Sequence, residues 1–154
     1  MLLSAAPWRR STRNSLVAEQ LVLETSAFLD LLLGTGEGRA VRDALVGRQV
    51  HISDHQGVAV AAALRALVRG KLLSSATSQE KIRRVLDAPF QAHPARELLA
   101  AAAARTELRL GDALCVELSQ QLGAPLVTTD SRLAAAWPRS WLVTVGLGPG
   151  SRSI

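Results

Sequence analysis

Residues 110–134, LGDALCVELSQQLGAPLVTTDSRLA, decide how the rest of the chain is read. Leu114, Cys115, Leu118 and Leu122 recur every three or four residues, the spacing of a helix with one buried face, and Gly123 stops the pattern. Ala124, Leu126 and Val127 then form a short apolar strand that runs into Thr128, Thr129 and Asp130. A helix feeding a strand of this kind predicts a parallel sheet, and ligands bind such sheets at the carboxyl ends of the strands. Asp130 stands at that end, and Asp112, in the first turn of the helix, is placed to face the same crevice. Two readings stay open at this point. Both acids serve the crevice, or Asp130 simply starts a helix at Ser131 while Asp112 offsets a helix dipole.

Outward from this stretch the same grammar repeats. Leu21 to Leu23 make a brief strand ending in Glu24, with Thr25 or Ser26 expected to cap the next helix, which carries Phe28, Leu31 and Leu32. Asp30 falls toward the far side of that helix and is expected to be solvated or cap-related. A helix over 38–46 should bury Val41, Leu45 and Val46. Val50 to Ile52 suggest another strand, and Ser53 with Gln56 has capping-box spacing before a helix running to about Val68. Asp54 there reads as a first-turn charge, and His55 as a surface histidine or a side chain turned toward the crevice. Thr77 and Glu80 repeat the capping box before a helix that should bury Ile82, Val85 and Leu86. An edge strand is expected at Phe90 to Ala92, a helix from Pro94 to about Arg105, and a last strand from Trp141 to Val145. Short strands alternating with helices predict a three-layer α/β/α domain with a mostly parallel central sheet.

Composition narrows the possibilities. The chain has 154 residues, 48% apolar and 20% charged, enough for one core and too few for two. The organisation expected is a basic arm over 1–19, a domain over 20–146 and a flexible tail over 147–154. The opening MLLSAAPWRRSTRN puts its charge after its apolar part, the reverse of a secretory signal, and no apolar run is long enough to cross a bilayer. With Cys115 the single cysteine, a cytoplasmic protein without a disulfide framework is expected. The net charge of +5 suits an anionic partner, but three of those charges are Arg9, Arg10 and Arg13 in the arm. No phosphate loop or dinucleotide fingerprint occurs, and His51, His55 and His93 lack a chelating repeat. Few aromatics are present, and they are too scattered for a base-stacking surface. What remains is an acidic set: Glu24, Asp112 and Asp130. Carboxylates on one rim repel one another unless a cation lies between them, and oxygen ligands favour Mg²⁺ or Mn²⁺.

LVLETSAFLDLLL, followed much later by LGDALCVELSQQLGAPLVTTDSRLA, resembles the PIN-domain ribonucleases of the VapC toxin type. The resemblance covers roughly Val22 to Val145. It implies a compact α/β/α fold, Mg²⁺ or Mn²⁺ held by about four acids, RNA cleavage, a homodimer, and a small antitoxin-like protein whose tail fills the groove. Glu24 then stands for the usual first aspartate with Ser26 as its hydroxyl partner, Asp112 for the third acid, and Asp130 for the fourth, with Thr128 orienting that corner. The second acid, a glutamate shortly before an Ala-Leu-Arg sequence, is replaced by Ala59 ahead of Ala63, Leu64 and Arg65. Glu24 also reaches one methylene further than aspartate. Two functions follow from this degenerate set: a weak metal-dependent ribonuclease, with water or His55 completing the shell, or a noncatalytic scaffold that binds RNA or protein.

Overall fold

The computed structural model describes residues 18–144. Most of the basic arm and all of the expected tail therefore lie outside the described residues. The elements run β1 (Gln20–Leu23), α1 (Thr25–Leu33), α2 (Gly36–Leu45), β2 (Gln49–Ser53), α3 (His55–Arg69), α4 (Ser75–Asp87), β3 (Gln91–His93), α5 (Ala95–Ala103), α6 (Leu110–Leu122), β4 (Leu126–Thr128), α7 (Ser131–Ala136) and β5 (Ser140–Leu142). All described strand pairs are parallel, in the order β3-β2-β1-β4-β5. Among the described residues no helix is long and apolar enough to cross a membrane.

Alternation along β1 divides the core in two. Leu21 and Leu23 pack with Phe28 of α1, Val41 of α2 and Val60 and Leu64 of α3, whereas Val22 faces Leu98 of α5, Leu114 and Leu118 of α6 and Leu133 of α7. Side chains on successive strand residues point to opposite faces, so a single strand can anchor both helical layers. The chain builds β1, β2 and β3 toward one edge, then returns to lay β4 on the other side of β1. That reversal places a crevice between the carboxyl ends of β1 and β4, where Glu24 and Thr128 stand.

Local chemistry sets the helix boundaries. Gly123 ends α6 in the left-handed conformation at φ 60°, which favours glycine. Gly38 is required for packing, because a Cβ there would sit 1.9 Å from the Asp30 carbonyl oxygen as α2 folds against α1. Other expectations need correction. Glu24 caps α1, in place of Thr25 or Ser26, by accepting a hydrogen bond from the Ser26 amide. Ser74 caps α4, three residues before the expected cap at Thr77. Val46 and Leu86, expected inside, are 71% and 79% exposed, because α2 ends at Leu45 and the outer side of α4 has no layer above it. The edge strand lies one residue later than expected, at Gln91–His93, and the last strand at Ser140–Leu142.

Candidate active site

Glu24 leaves the end of β1 only 3% exposed. Its Oε1 accepts from the Ser26 amide at 2.9 Å, and its Oε2 accepts from the Ser26 hydroxyl and, at 2.7 Å, from Thr128 Oγ1. Burial pushes this carboxyl above the usual range; those hydrogen bonds oppose the shift, and the charge of Asp112 adds to it. Thr128 in turn accepts from the Asp130 amide at 3.0 Å, so one hydroxyl links the two acids of the β1–β4 corner.

Asp130 caps α7. Its Oδ1 accepts from the Arg132 amide at 2.9 Å, while Oδ2 lies 3.4 Å from the Arg132 guanidinium. Burial disfavours its charge, but the Arg132 amide and guanidinium and the Leu133 amide outweigh that and hold the carboxyl below the usual range. Asp112 stands half-buried in the first turn of α6. Burial first, then the facing charge of Asp130, push it upward against the pull of Arg109 and Arg132. The charge of Asp112 thus bears on Glu24 as well as meeting that of Asp130, while Thr128 joins the other two through hydrogen bonds.

Asp54 stands apart from them, since its Oδ1 accepts from the Ala95 amide at 2.9 Å and holds the start of α5. His55 turns inward. Its Nδ1 lies 2.8 Å from Ser53 Oγ, and Nε2 is buried against Gly111, next to Asp112, without a hydrogen bond of sound geometry. Burial holds this imidazole below its usual range against the opposing influence of Asp54 and the Gly111 backbone. Ala59, one turn further along α3, brings no polar group.

Three participants were not legible as such in the sequence. Asp30 is cap-related, accepting from Thr35 at 3.1 Å, but it does not face away: it also accepts from Thr129 at 2.7 Å, tying α1 to the loop before Asp130. Gln56 accepts from the Ser53 amide at 2.8 Å, as its capping-box spacing suggests, and its amide donates to the Leu23 carbonyl at 2.7 Å. It thereby clamps the end of β1 to α3. Arg132 was visible only as part of the Arg-Leu pair following Asp130. Among the described residues, no three histidine, cysteine, aspartate or glutamate side chains group closely enough to hold a metal ion.

This arrangement, acids at a switch point between parallel strands, agrees with the PIN domain profile, which matches residues 21–136. The chain belongs to the PIN-domain family. The sequence is 39% identical over 122 residues to the ribonuclease VapC3 of Mycobacterium tuberculosis strain H37Rv, covering 78% of this chain and 89% of that protein. It is 34% identical over 115 residues to the ribonuclease VapC12 of the same strain, covering 74% and 89%. A toxin-antitoxin complex from Klebsiella pneumoniae contains a chain of the same fold, with TM-score 0.60, 19% identity, and coverage of 80% of this chain and 98% of that one. VapBC2 from Rickettsia felis, bound to a promoter DNA fragment, gives TM-score 0.57 at 13% identity, covering 80% and 96%. Within this PIN domain Glu24 is buried at the end of β1, Asp112 and Asp130 are half-buried at helix starts, and position 59 carries no acid.

Proposed function

We propose that this PIN domain is a divalent-cation-dependent endoribonuclease of the VapC type, weakened by its reduced acidic set. The observation that carries the proposal is the β1–β4 corner, where Thr128 Oγ1 donates to Glu24 at 2.7 Å and accepts from the Asp130 amide at 3.0 Å, with Asp112 in electrostatic reach of both acids. A cation between Asp112 and Asp130 would relieve their repulsion. Mg²⁺ needs only one or two protein carboxylates when water and substrate phosphate supply the other oxygens, so this donor set fits although no group of three is present.

In this reading Asp112 and Asp130 would hold the ion. Bound there, Mg²⁺ or Mn²⁺ supplies Lewis acidity toward a phosphodiester and lowers the pKa of water. Glu24 lies behind them, with both oxygens already accepting hydrogen bonds, and sets the direction of Asp130 through Thr128. Ser26 keeps Glu24 in place, and the Asp30–Thr129 bond holds the loop. The VapC ribonuclease relatives support action on RNA, and the toxin-antitoxin neighbours support restraint by a small antitoxin-like protein; a cytoplasmic location and pairing with a second copy of the chain complete the proposal.

One observation favours a second reading. With Glu24 fully engaged and alanine at position 59, the rim also suits a protein that binds RNA or a partner without cutting. Cleavage of a mixed structured RNA with Mn²⁺, by the parent and by the Asp112→Asn, Asp130→Asn double variant, separates the two. The nuclease reading expects the double variant to lose at least about 100-fold in rate, since electrostatic stabilisation at such sites is worth several kcal/mol. Equal rates would leave the scaffold.

A further inference from the structure

Beyond the acids, two cations frame the crevice: Arg109 at the N-cap of α6 and Arg132 in the first turn of α7, both within electrostatic reach of Asp112. Arg132 holds Asp130 in two ways. Its backbone amide grips Oδ1 at 2.9 Å, while its guanidinium rests 3.4 Å from Oδ2. The amide bond belongs to the helix cap and survives any movement of the side chain. The guanidinium contact is long, and the arginine side chain is 70% exposed, so it is weakly held and easily released. Oδ2 is thus the oxygen free to turn to another cation, and the guanidinium the group free to turn to another anion.

We propose that Arg132 is an exchangeable counter-ion, neutralising Asp130 in the free protein and passing to a phosphate of single-stranded RNA when the nucleic acid enters the crevice. The assignment of RNA as the anion rests on the nuclease reading. A planar guanidinium fork matches phosphate oxygens in two-point contact, which a lysine does not reproduce. Arg109, whose charge also bears on Asp112, is a second positive group at the start of α6. The exchange gives one side chain two effects of opposite sign: Arg132 competes with a divalent ion for Asp130, and it favours RNA.

Binding measurements on the full chain test this without relying on cleavage. Mn²⁺ affinity is followed by electron paramagnetic resonance of free Mn²⁺. Binding of a mixed-sequence single-stranded RNA is followed in EDTA over a salt series. Arg132→Gln keeps the backbone cap, and it is expected to tighten Mn²⁺ about two- to five-fold, the range of a weak exposed ion pair. It should also weaken RNA binding and make the slope of log affinity against log salt shallower by about 0.7, one phosphate contact on a single strand. Arg132→Lys should restore the salt slope while leaving RNA binding weaker than in the parent. Opposite changes in the two affinities are not expected from a merely structural side chain. Unchanged or weaker Mn²⁺ binding by Arg132→Gln, or an unchanged salt slope, would overturn the exchange. The nuclease reading fails separately, through equal cleavage by the parent and the Asp112→Asn, Asp130→Asn variant.

Discussion

Along the carboxyl rim of the sheet, the β1–β4 corner holds Glu24 under hydrogen bonds from Ser26 and Thr128, whereas the β2–α3 corner holds His55 with one ring nitrogen beside Ser53 and the other buried near the Gly111 backbone, without a well-formed hydrogen bond among the described residues. The first corner is acidic and fully satisfied. The second has no acid facing the crevice, because Asp54 is committed to α5 and residue 59 is alanine. Buried polar groups must be paired, so the satisfied corner is rigid and serves to orient. The other corner is where the donor set is short, and the proposed weakness of the nuclease would be local to it.

The largest expected effect comes from making the two corners alike. Ala59→Glu places an acid one turn beyond His55 and should raise Mn²⁺ affinity by about 10- to 100-fold, the usual worth of a supporting group at a metal site. Titration of Mn²⁺ into parent and variant checks this. No change would mean that position 59 does not communicate with Asp112 and Asp130, and the contrast between the corners would lose its functional meaning.

Breaking the satisfied corner should cost less. Thr128→Val removes a donor to Glu24 and the acceptor of the Asp130 amide in a fully buried place. A loss of about 1 to 3 kcal/mol in unfolding free energy is expected from stranding those partners, measured by urea denaturation. Stability equal to the parent would show that the network orients without stabilising.

The smallest effect concerns pH on the histidine side. His51 of β2 is 3% exposed, with Nδ1 2.8 Å from Nε2 of His93 on β3. Burial, and then the neighbouring His93, lower its pKa from 6.5, so the folded state takes up a proton less readily than the unfolded chain. Stability contributed by His51 is therefore present above 6.5 and lost as pH falls below it. Glu24 and Asp112, with raised values, act in the opposite sense as pH rises from 4.5 and 3.8. Urea midpoints at about pH 8 and about pH 5.5 should thus converge in His51→Phe relative to the parent. A pH dependence unchanged by the substitution would exclude His51 as its source.

Much of the fold was legible because its signals are local. The periodicity of α6, its stop at Gly123, and the apolar strand running into Asp130 each depend on residues within a few positions of one another. Helix ends were less legible where a side chain chose between partners. Glu24 caps α1 although Thr25 and Ser26 are better caps by type, because packing beneath β4 turns its carboxylate back onto the Ser26 amide. Asp30 read as solvated or cap-related, yet its bond to Thr129 crosses 99 positions and has no short-range signal.

By itself, then, the sequence determined the alternation of short strands and helices and the acids at strand ends and helix starts, since each is a matter of spacing and residue type, whereas the missing acid at Ala59 is visible only through the resemblance to PIN-domain ribonucleases. Only the tertiary structure decided that β4 lies beside β1, that Glu24 spends both oxygens on Ser26 and Thr128, that Asp54 belongs to α5, and that Asp112 comes within electrostatic reach of Glu24 and Asp130. The physical reason is that a carboxylate's partner is whichever donor the parallel pairing brings within about 3 Å, a distance set by strand order across the sheet and not by neighbours along the chain.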